Sequence, residues 1–145
     1  MRTYTRINEE YLDDSTIDTE DISMHDEICS EIDIWIDGGT QPSFDLNVLG
    51  DAFYPVADKA DLLKLIYLCM DLYGDECDLN WIDVSKVKEM PFLFQNSEFN
   101  GNISGWDVSH VTNMEWMFCD SQFNGNISSW NVSSVENMHG MFYGS

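Results

Sequence analysis

The chain has 145 residues, which is long enough to bury a hydrophobic core, and 43% of them are hydrophobic, as in ordinary folded proteins. Its 27 acidic residues against 6 basic ones give a formal net charge of −21 at pH 7. This charge disfavours direct binding to nucleic acids and to anionic membrane surfaces, because both need a cationic protein surface. A basic protein or a metal cation would instead be attracted.

The sequence signals of export and membrane insertion are absent. The first residues contain no apolar signal-peptide core, and no apolar run is long enough for a membrane span. The chain has four cysteines but no C-x-x-C pair, namely Cys29, Cys69, Cys77 and Cys119. We therefore expect a cytoplasmic protein with reduced thiols and no membrane contact.

Residues 9–37 contain twelve acidic residues and no Lys or Arg. Met24, Ile28 and Ile32 have helical spacing, with N-cap candidates at Thr19 and Asp21. From residue 32 the period changes to two, and the alternation ends at a Gly-Gly pair; its apolar members are Ile32, Ile34 and Ile36. The sequence predicts a helix followed by a strand here.

Residues 40–55 are rich in turn formers, and a short strand is predicted near residues 44–48. The clearest helix follows, with Asp58 as its N-cap and Gly74 as the residue that ends it. Its expected buried stripe is Leu62, Leu65, Ile66, Cys69, Leu72 and Tyr73. We expect this helix to cover the first of the repeats that follow it.

The C-terminal half contains internal repeats. The hexapeptide FNGNIS occurs at residues 99–104 and again at 123–128, and a fainter copy precedes both, so that the period is 24 residues. Each copy predicts a short extended piece followed by a helical turn, at residues 87–94, 111–118 and 135–142. A unit of this size cannot bury its own apolar face, so we expect the copies to stack.

The string W-D-V-S-x-V-x-x-M-x-x-M-F followed by F-N-x-x-I-S, here residues 106–118 and 123–128, resembles the BspA-like leucine-rich repeats of bacterial surface proteins and mycoplasma lipoproteins. The resemblance covers about residues 75–145, and residues 1–74 show none. It implies a protein-binding or adhesive role without catalytic residues.

These observations together predict an α+β fold. A short leucine-rich-repeat-like solenoid of about three 24-residue repeats, residues 75–145, would be capped by an acidic N-terminal α/β segment of helix, strand and helix, residues 1–74. We expect the two parts to form one continuous domain.

The recurring Met and Phe positions predict core packing, as do Trp106 and Trp130. Trp116 differs because its counterparts are Phe92 and Gly140, so it is a candidate contact residue on an exposed surface. A calcium loop starting at residue 33 fails, since its ligand positions are not filled with oxygen donors. The sequence contains no catalytic motif either, so we predict a protein that is not an enzyme and has no metal or cofactor.

The acidic run allows two interpretations. The first is a solvated surface that keeps the protein soluble. The second is a folded row of carboxylates that imitates nucleic-acid phosphates and attracts a basic cleft. The second makes the chain an inhibitor of a basic, nucleic-acid-binding protein such as a bacterial defence effector, in the manner of a phage-encoded anti-CRISPR protein. The candidate contact residues are Asp13, Asp14, Asp18, Glu20, Asp21, Asp26, Glu27, Glu31, Asp33, Asp37 and Trp116.

The alternative function is an immunity-type or adhesive module that recognises its partner through the repeat face. A homodimer is also predicted, through an uncapped last repeat that ends in apolar residues.

Overall fold

A computed structural model describes residues 14–145, with backbone only for residues 14–23. The chain forms two compact units, Met1–Gly50 and Asp51–Ser145. The helix predicted after Asp58 therefore groups with the repeats. Within the described part of the chain, no helix is both long enough and apolar enough to span a bilayer.

The first unit is built on one long helix, α1, Asp14–Ile36. Ile32 and Trp35 are buried and Ile28 is half-buried, which is the spacing of one helical face, whereas Ile34 is 53% exposed. The predicted strand at residues 32–36 is therefore wrong. Its alternating pattern also fits a helix, and burial of Trp35 selects the helical form.

Helix α1 ends at the predicted Gly-Gly pair. Gly38 has φ +97, and the backbone N–H of Gly39 donates to the carbonyl of Ile34 at 2.8 Å. Such a left-handed residue closing the last turn is a common helix ending. The predicted N-caps Thr19 and Asp21 are wrong, because both lie inside the helix.

The strand predicted near residues 44–48 is also wrong. Residues Leu46–Val48 form a short 3₁₀ helix instead, and Asp45 Oδ1 accepts a hydrogen bond from the backbone N–H of Asn47 at 3.0 Å. This local bond turns the chain where a strand would have to continue. The described residues of the first unit thus contain helices and turns but no strand.

Helix α2, Lys59–Tyr73, confirms the prediction for this region. Asp58 accepts a hydrogen bond from the N–H of Asp61 at 3.1 Å, and the N–H of Gly74 donates to Met70 at 2.8 Å. The core of the stripe is buried, and its last two members are half-buried; the buried side chains are Leu62, Leu65, Ile66 and Cys69.

Helix α2 connects two very short parallel strands, β1 (Tyr54–Pro55) and β2 (Ile82–Asp83). Tyr54 pairs with Ile82, and Pro55 pairs with Asp83. The parallel direction follows from the helical connection, which returns the chain to the same end of the pair. Nothing in the turn-rich sequence around Pro55 predicts this strand.

The repeats form turns rather than helices. Phe92 and Trp116 have φ values of +63 and +56, which a right-handed helix does not allow, so the helical turns predicted at 87–94, 111–118 and 135–142 are wrong. Local Asx hydrogen bonds also interrupt extended backbone; for example, Asp83 and Asp107 accept from the backbone N–H of Ser85 and Ser109 at 3.0 Å.

The predicted fold class, a leucine-rich-repeat-like solenoid capped by an α/β segment, is accordingly wrong. The described residues form two α-helices and one two-stranded parallel sheet, with no solenoid. The frequent Asx turns and left-handed residues explain this, because they keep each copy from building the regular strand that a solenoid needs. Beyond β2, β-pairing is limited to isolated bridges such as Glu89 with Asn113.

Neighbouring copies nevertheless contact one another at equal offsets. The N–H of Phe94 donates to Met117, and the N–H of Phe118 donates to Met141, both at 2.8 Å. The rings of Phe94 and Phe118 are stacked with centroids 5.5 Å apart, and Phe142 follows at 5.4 Å.

The prediction of core packing is confirmed for the first two copies. Met90, Met114, Phe94 and Phe118 are at most 1% exposed. The buried indole N–H groups of the two predicted core tryptophans donate to carbonyls one copy earlier, from Trp106 to Leu79 at 2.9 Å and from Trp130 to Ile103 at 3.1 Å.

Candidate protein-binding surfaces

Helix α1 carries most of the predicted acidic contact residues. Asp26, Glu27, Asp33 and Asp37 are exposed at its C-terminal half and just beyond it. Four further candidates lie on the same helix, in the part described by backbone alone, namely Asp14, Asp18, Glu20 and Asp21. Asp13 lies outside the described residues.

The density of carboxylates along α1 approaches that of a nucleic-acid strand. The helix has 23 residues, eight of them acidic and none of them Lys or Arg. At a rise of 1.5 Å per residue it is about 35 Å long, which places one acid roughly every 4 Å along the axis. One strand of B-DNA carries a phosphate about every 3.4 Å. The acids are therefore about as dense along the helix axis as phosphates along one strand, not a duplex, and at 3.6 residues per turn they fall on several faces of the helix.

Glu31 has a different role from the other acids. It is half-buried, and its Oε1 accepts hydrogen bonds from the backbone N–H of Ser43 at 2.8 Å and from its hydroxyl at 3.0 Å. These bonds attach the segment after α1 to the helix. Glu31 is thus partly occupied by the unit's own structure, which the sequence pattern did not reveal.

Trp116 is half-exposed in the second unit. Its φ of +56 lies in the left-handed region. The residues at the same position in the neighbouring copies, Phe92 at +63 and Gly140 at +64, adopt the same conformation. Glycine adopts this conformation freely, whereas an aromatic residue does so at a cost of about 1 to 2 kcal/mol. Interactions of the aromatic side chain must offset this cost in the folded protein.

The indole of Trp116 packs against the following copy. It meets His139 edge to face at a centroid distance of 5.1 Å and Tyr143 at 5.8 Å. A Cβ atom added to Gly140 would overlap the six-membered ring of the indole. Trp116 thus fills the space left by the missing side chain at Gly140 while keeping part of its surface open.

Large hydrophobic side chains are also exposed at this cluster and beside it, in the third copy. Phe142 is 52% exposed and Tyr143 is 68% exposed. The homodimer predicted through this copy stays a prediction.

The second unit also contains a basic groove that sequence reasoning missed. Lys59, Lys86 and Lys88 line a cavity of about 640 Å³, and Lys86 and Lys88 continue into a neighbouring cavity of about 510 Å³ beside His110. Among the described residues none of these lysines forms an ion pair. The signal was present in the sequence, because all four lysines fall between residues 59 and 88.

Three acids, Asp58, Glu89 and Asp107, also line the groove, and two of them are held by local hydrogen bonds. Asp58 caps helix α2, and Asp107 accepts from the hydroxyl and the backbone N–H of Ser109 at 2.6 and 3.0 Å. The bonds from Ser109 keep the pKa of the Asp107 carboxyl below its usual range. This groove is the one described surface where lysines gather, and it carries as many carboxylates as lysines.

The four cysteines are free thiols, and Cys69, Cys77 and Cys119 are buried. Burial raises the pKa of the Cys77 thiol to about 11 from its ordinary value of 9.0, and the nearby Asp78 and Asp75 act in the same direction. Burial likewise raises the pKa of Cys69. No group of three or more metal-ligating side chains occurs within residues 24–145.

Comparison with known families gives one match. The family described as "Mycoplasma protein of unknown function, DUF285" matches residues 68–145, which include the end of helix α2 and all three repeat copies. No curated protein and no solved structure matches the chain.

Proposed function

The chain belongs to the DUF285 family of mycoplasma proteins of unknown function, and we propose that it is a non-catalytic protein-binding module whose acidic helix occupies the nucleic-acid site of a basic partner. The observation that carries the proposal is that eight of the 23 residues of helix α1 are acidic and none is Lys or Arg. A solvated surface normally mixes both signs of charge. A helix that carries charges of one sign only instead favours a complementary cationic cleft.

The partner class follows from the charge spacing. The phosphates of one strand recur about every 3.4 Å along the axis of B-DNA, close to the axial spacing of carboxylates estimated for α1, so a cleft that binds such a strand suits the helix. We therefore propose that the partner is a cytoplasmic protein that binds single-stranded nucleic acid, or one strand of a duplex. A bacterial defence effector inhibited by a phage-encoded protein is a specific case of this proposal.

We also propose that residues 75–145 are related in sequence to the BspA-like repeats. The support is the string from Trp106 to Phe118 and its recurrence 24 residues later. The relationship concerns the repeated sequence pattern, and the fold of these residues is the one described above.

The exposed part of Trp116 favours a second candidate function. An immunity-type or adhesive module would recognise its partner through this face of the second unit. Trp116, His139 and Tyr143 form a compact aromatic group there, and aromatic residues are enriched among residues that dominate binding energy. In this case the acids of α1 would contribute solubility only.

A competition experiment tests the first proposal. The immobilised full chain would capture proteins from a bacterial lysate at low salt, and each captured protein would then be mixed with fluorescein-labelled single-stranded and duplex DNA. We expect at least one captured protein to bind the DNA and the soluble full chain to displace it. Displacement should weaken strongly between about 50 and about 200 mM salt, since charge pairing is screened over this range.

Two sets of variants separate the two functions. Combined neutralisation of Asp13, Asp14, Asp18, Glu20 and Asp21 to Asn or Gln should abolish displacement if α1 is the mimic. Trp116→Ala should then have little effect. If Trp116→Ala abolishes capture while the neutralised variant still binds, the result supports recognition through the repeat face and contradicts nucleic-acid mimicry by α1. Capture that does not depend on salt would also contradict the mimic.

A further inference from the structure

The two identical FNGNIS hexapeptides each contain an Asn-Gly pair, Asn100-Gly101 and Asn124-Gly125. The structure holds the two pairs differently. The two pairs therefore differ in how many contacts restrain their backbone.

The first pair is fixed on both sides. The N–H of Asn100 donates to Asp75 at 2.8 Å, and Asn102 both donates to Cys77 at 3.2 Å and accepts from Leu79 at 3.0 Å. Gly101 lies so close to the carbonyl of Cys77 that an added Cβ would overlap it. Rotation of the backbone between residues 100 and 101 therefore has to break several contacts.

The second pair is held much less. The N–H of Asn124 donates to the side-chain oxygen of Asn100 at 2.7 Å, but within the described residues Asn126 has no counterpart of either backbone bond made by Asn102. Asn124 and Gly125 are both exposed. The nearest backbone atom to a Cβ built on Gly125 is the carbonyl oxygen of Gly101, at 3.3 Å.

We propose that Asn124 is a site of spontaneous deamidation in the folded protein and that Asn100 is protected from it. The backbone nitrogen of Gly125 attacks the side-chain carbonyl carbon Cγ of Asn124. The new C–N bond closes a five-membered succinimide, the attacking nitrogen loses its proton to solvent, and the carboxamide nitrogen leaves as ammonia. One water molecule then opens the ring at either carbonyl, giving aspartate or isoaspartate at position 124.

The reaction needs the Gly nitrogen to approach the carboxamide, so its rate depends on how easily the backbone rotates there. A glycine on the C-terminal side makes the approach easiest, because it has no side chain in the way. At Asn100 the two additional backbone bonds of residue 102 must open first. Opening two hydrogen bonds of ordinary strength adds to the activation free energy, so we expect the reaction at Asn100 to be at least about tenfold slower than at Asn124.

The test uses the folded full chain incubated at mildly alkaline pH, sampled over time and digested with chymotrypsin. The two hexapeptides remain distinguishable after cleavage, because Gly105 follows one and Ser129 follows the other. Mass spectrometry measures the deamidated fraction of each, and an isoaspartyl methyltransferase assay detects isoaspartate. A parallel incubation in urea and the variant Asn124→Gln, whose longer side chain closes a ring more slowly, are the controls.

We expect deamidation at Asn124 to be at least about tenfold faster than at Asn100 in the folded chain, and the two rates to become similar in urea, where the identical sequences have lost their contacts. The Asn124→Gln variant should lose the fast phase. Equal rates in the folded chain would overturn the proposal. So would a faster reaction at Asn100, or a folded chain that stays intact while the unfolded one reacts.

Discussion

The carboxylate of Glu31 accepts two hydrogen bonds from Ser43, at 2.8 Å from its backbone nitrogen and 3.0 Å from its hydroxyl. The pair is twelve residues apart in sequence and connects helix α1 to the segment that follows it. A residue that belongs to the acidic row by charge is thus a structural residue by its contacts, and its two roles can be separated by substitution.

Glu31→Ala should loosen this connection. Losing these bonds is expected to cost about 1 kcal/mol, which corresponds to roughly fivefold faster hydrogen exchange at the Ser43 amide. Glu31→Gln keeps an oxygen acceptor and removes the charge, so its exchange rate should stay near that of the natural chain. Equal exchange in all three proteins would show that the bonds add no local stability.

Neutralising exposed acids on the first unit should weaken binding to a cationic probe more than neutralising the same number on the second. The test variant carries Asp26→Asn, Glu27→Gln and Asp37→Asn, and the control carries Asp71→Asn, Glu76→Gln and Glu98→Gln; all six are exposed. Both variants change the net charge by the same amount. Affinity for fluorescent poly-L-lysine, measured by anisotropy at several salt concentrations, should therefore differ only through the local charge row.

The expected difference is largest at low salt and shrinks as the screening length falls below about 10 Å. Identical losses in the two variants would assign the effect to net charge alone. A third variant, Lys86→Gln with Lys88→Gln, should bind the probe at least as well as the natural chain, because it removes two positive charges that repel a cationic probe.

Gly140→Ala should strongly destabilise the second unit. Its Cβ would overlap the indole of Trp116, and its φ of +64 is unfavourable for alanine. Together these effects predict a loss of about 2 to 4 kcal/mol in the free energy of unfolding. Urea unfolding followed by circular dichroism measures it.

The same substitution in a Trp116→Ala background supplies the control. Removing the indole eliminates the overlap, so Gly140→Ala should then cost only the backbone part, about 1 kcal/mol. If the cost is unchanged in that background, the two side chains do not share the space.

The buried thiol of Cys77 predicts a loss of stability at high pH. Its pKa is about 11 in the folded chain and 9.0 ordinarily, so between these values the unfolded chain has released a proton that the folded chain retains. The unfolded state then binds fewer protons, and the free energy of unfolding falls as pH rises from 9.0 towards 11. Urea midpoints across this range measure the slope.

Cys77→Ala should make that slope shallower without removing it, since the pKa of Cys69 is also raised by burial. Reaction with Ellman's reagent offers an independent measurement. In the folded chain the thiol of Cys77 should react slowly near neutral pH and accelerate only on unfolding. A slope that does not change in the variant would rule out Cys77 as a source of the pH dependence.

Helix α2 could be predicted because independent local signals agree there: the Asp58 cap, the apolar stripe and Gly74. The stretch from Ile32 to Ile36 could not, since its spacing satisfies both a strand and a helix, and burial of Trp35 decides between them. Strand β1 has only two residues, and its pairing with residues 28 positions away leaves no local pattern.

In the repeats, the burial of side chains could be predicted from the sequence, but the backbone conformation could not. The buried Met and Phe positions follow from the 24-residue period. The backbone conformation does not, because Phe92 and Trp116 are residue types that seldom adopt positive φ. Among the binding surfaces, the acidic row is visible in composition alone. The contact of Glu31 with Ser43 and the convergence of Lys59 with Lys86 and Lys88 depend on tertiary structure.

The packing of Trp116 against Gly140 also distinguishes two repeat copies whose sequences are similar. Two copies that share FNGNIS could exchange places or pair one copy out of register during folding. Most of their side chains would then make similar contacts. Placing an aromatic residue where Gly140 belongs would instead push a bulky ring into the indole. We therefore expect a small residue opposite a large one to favour the observed order of the last two copies.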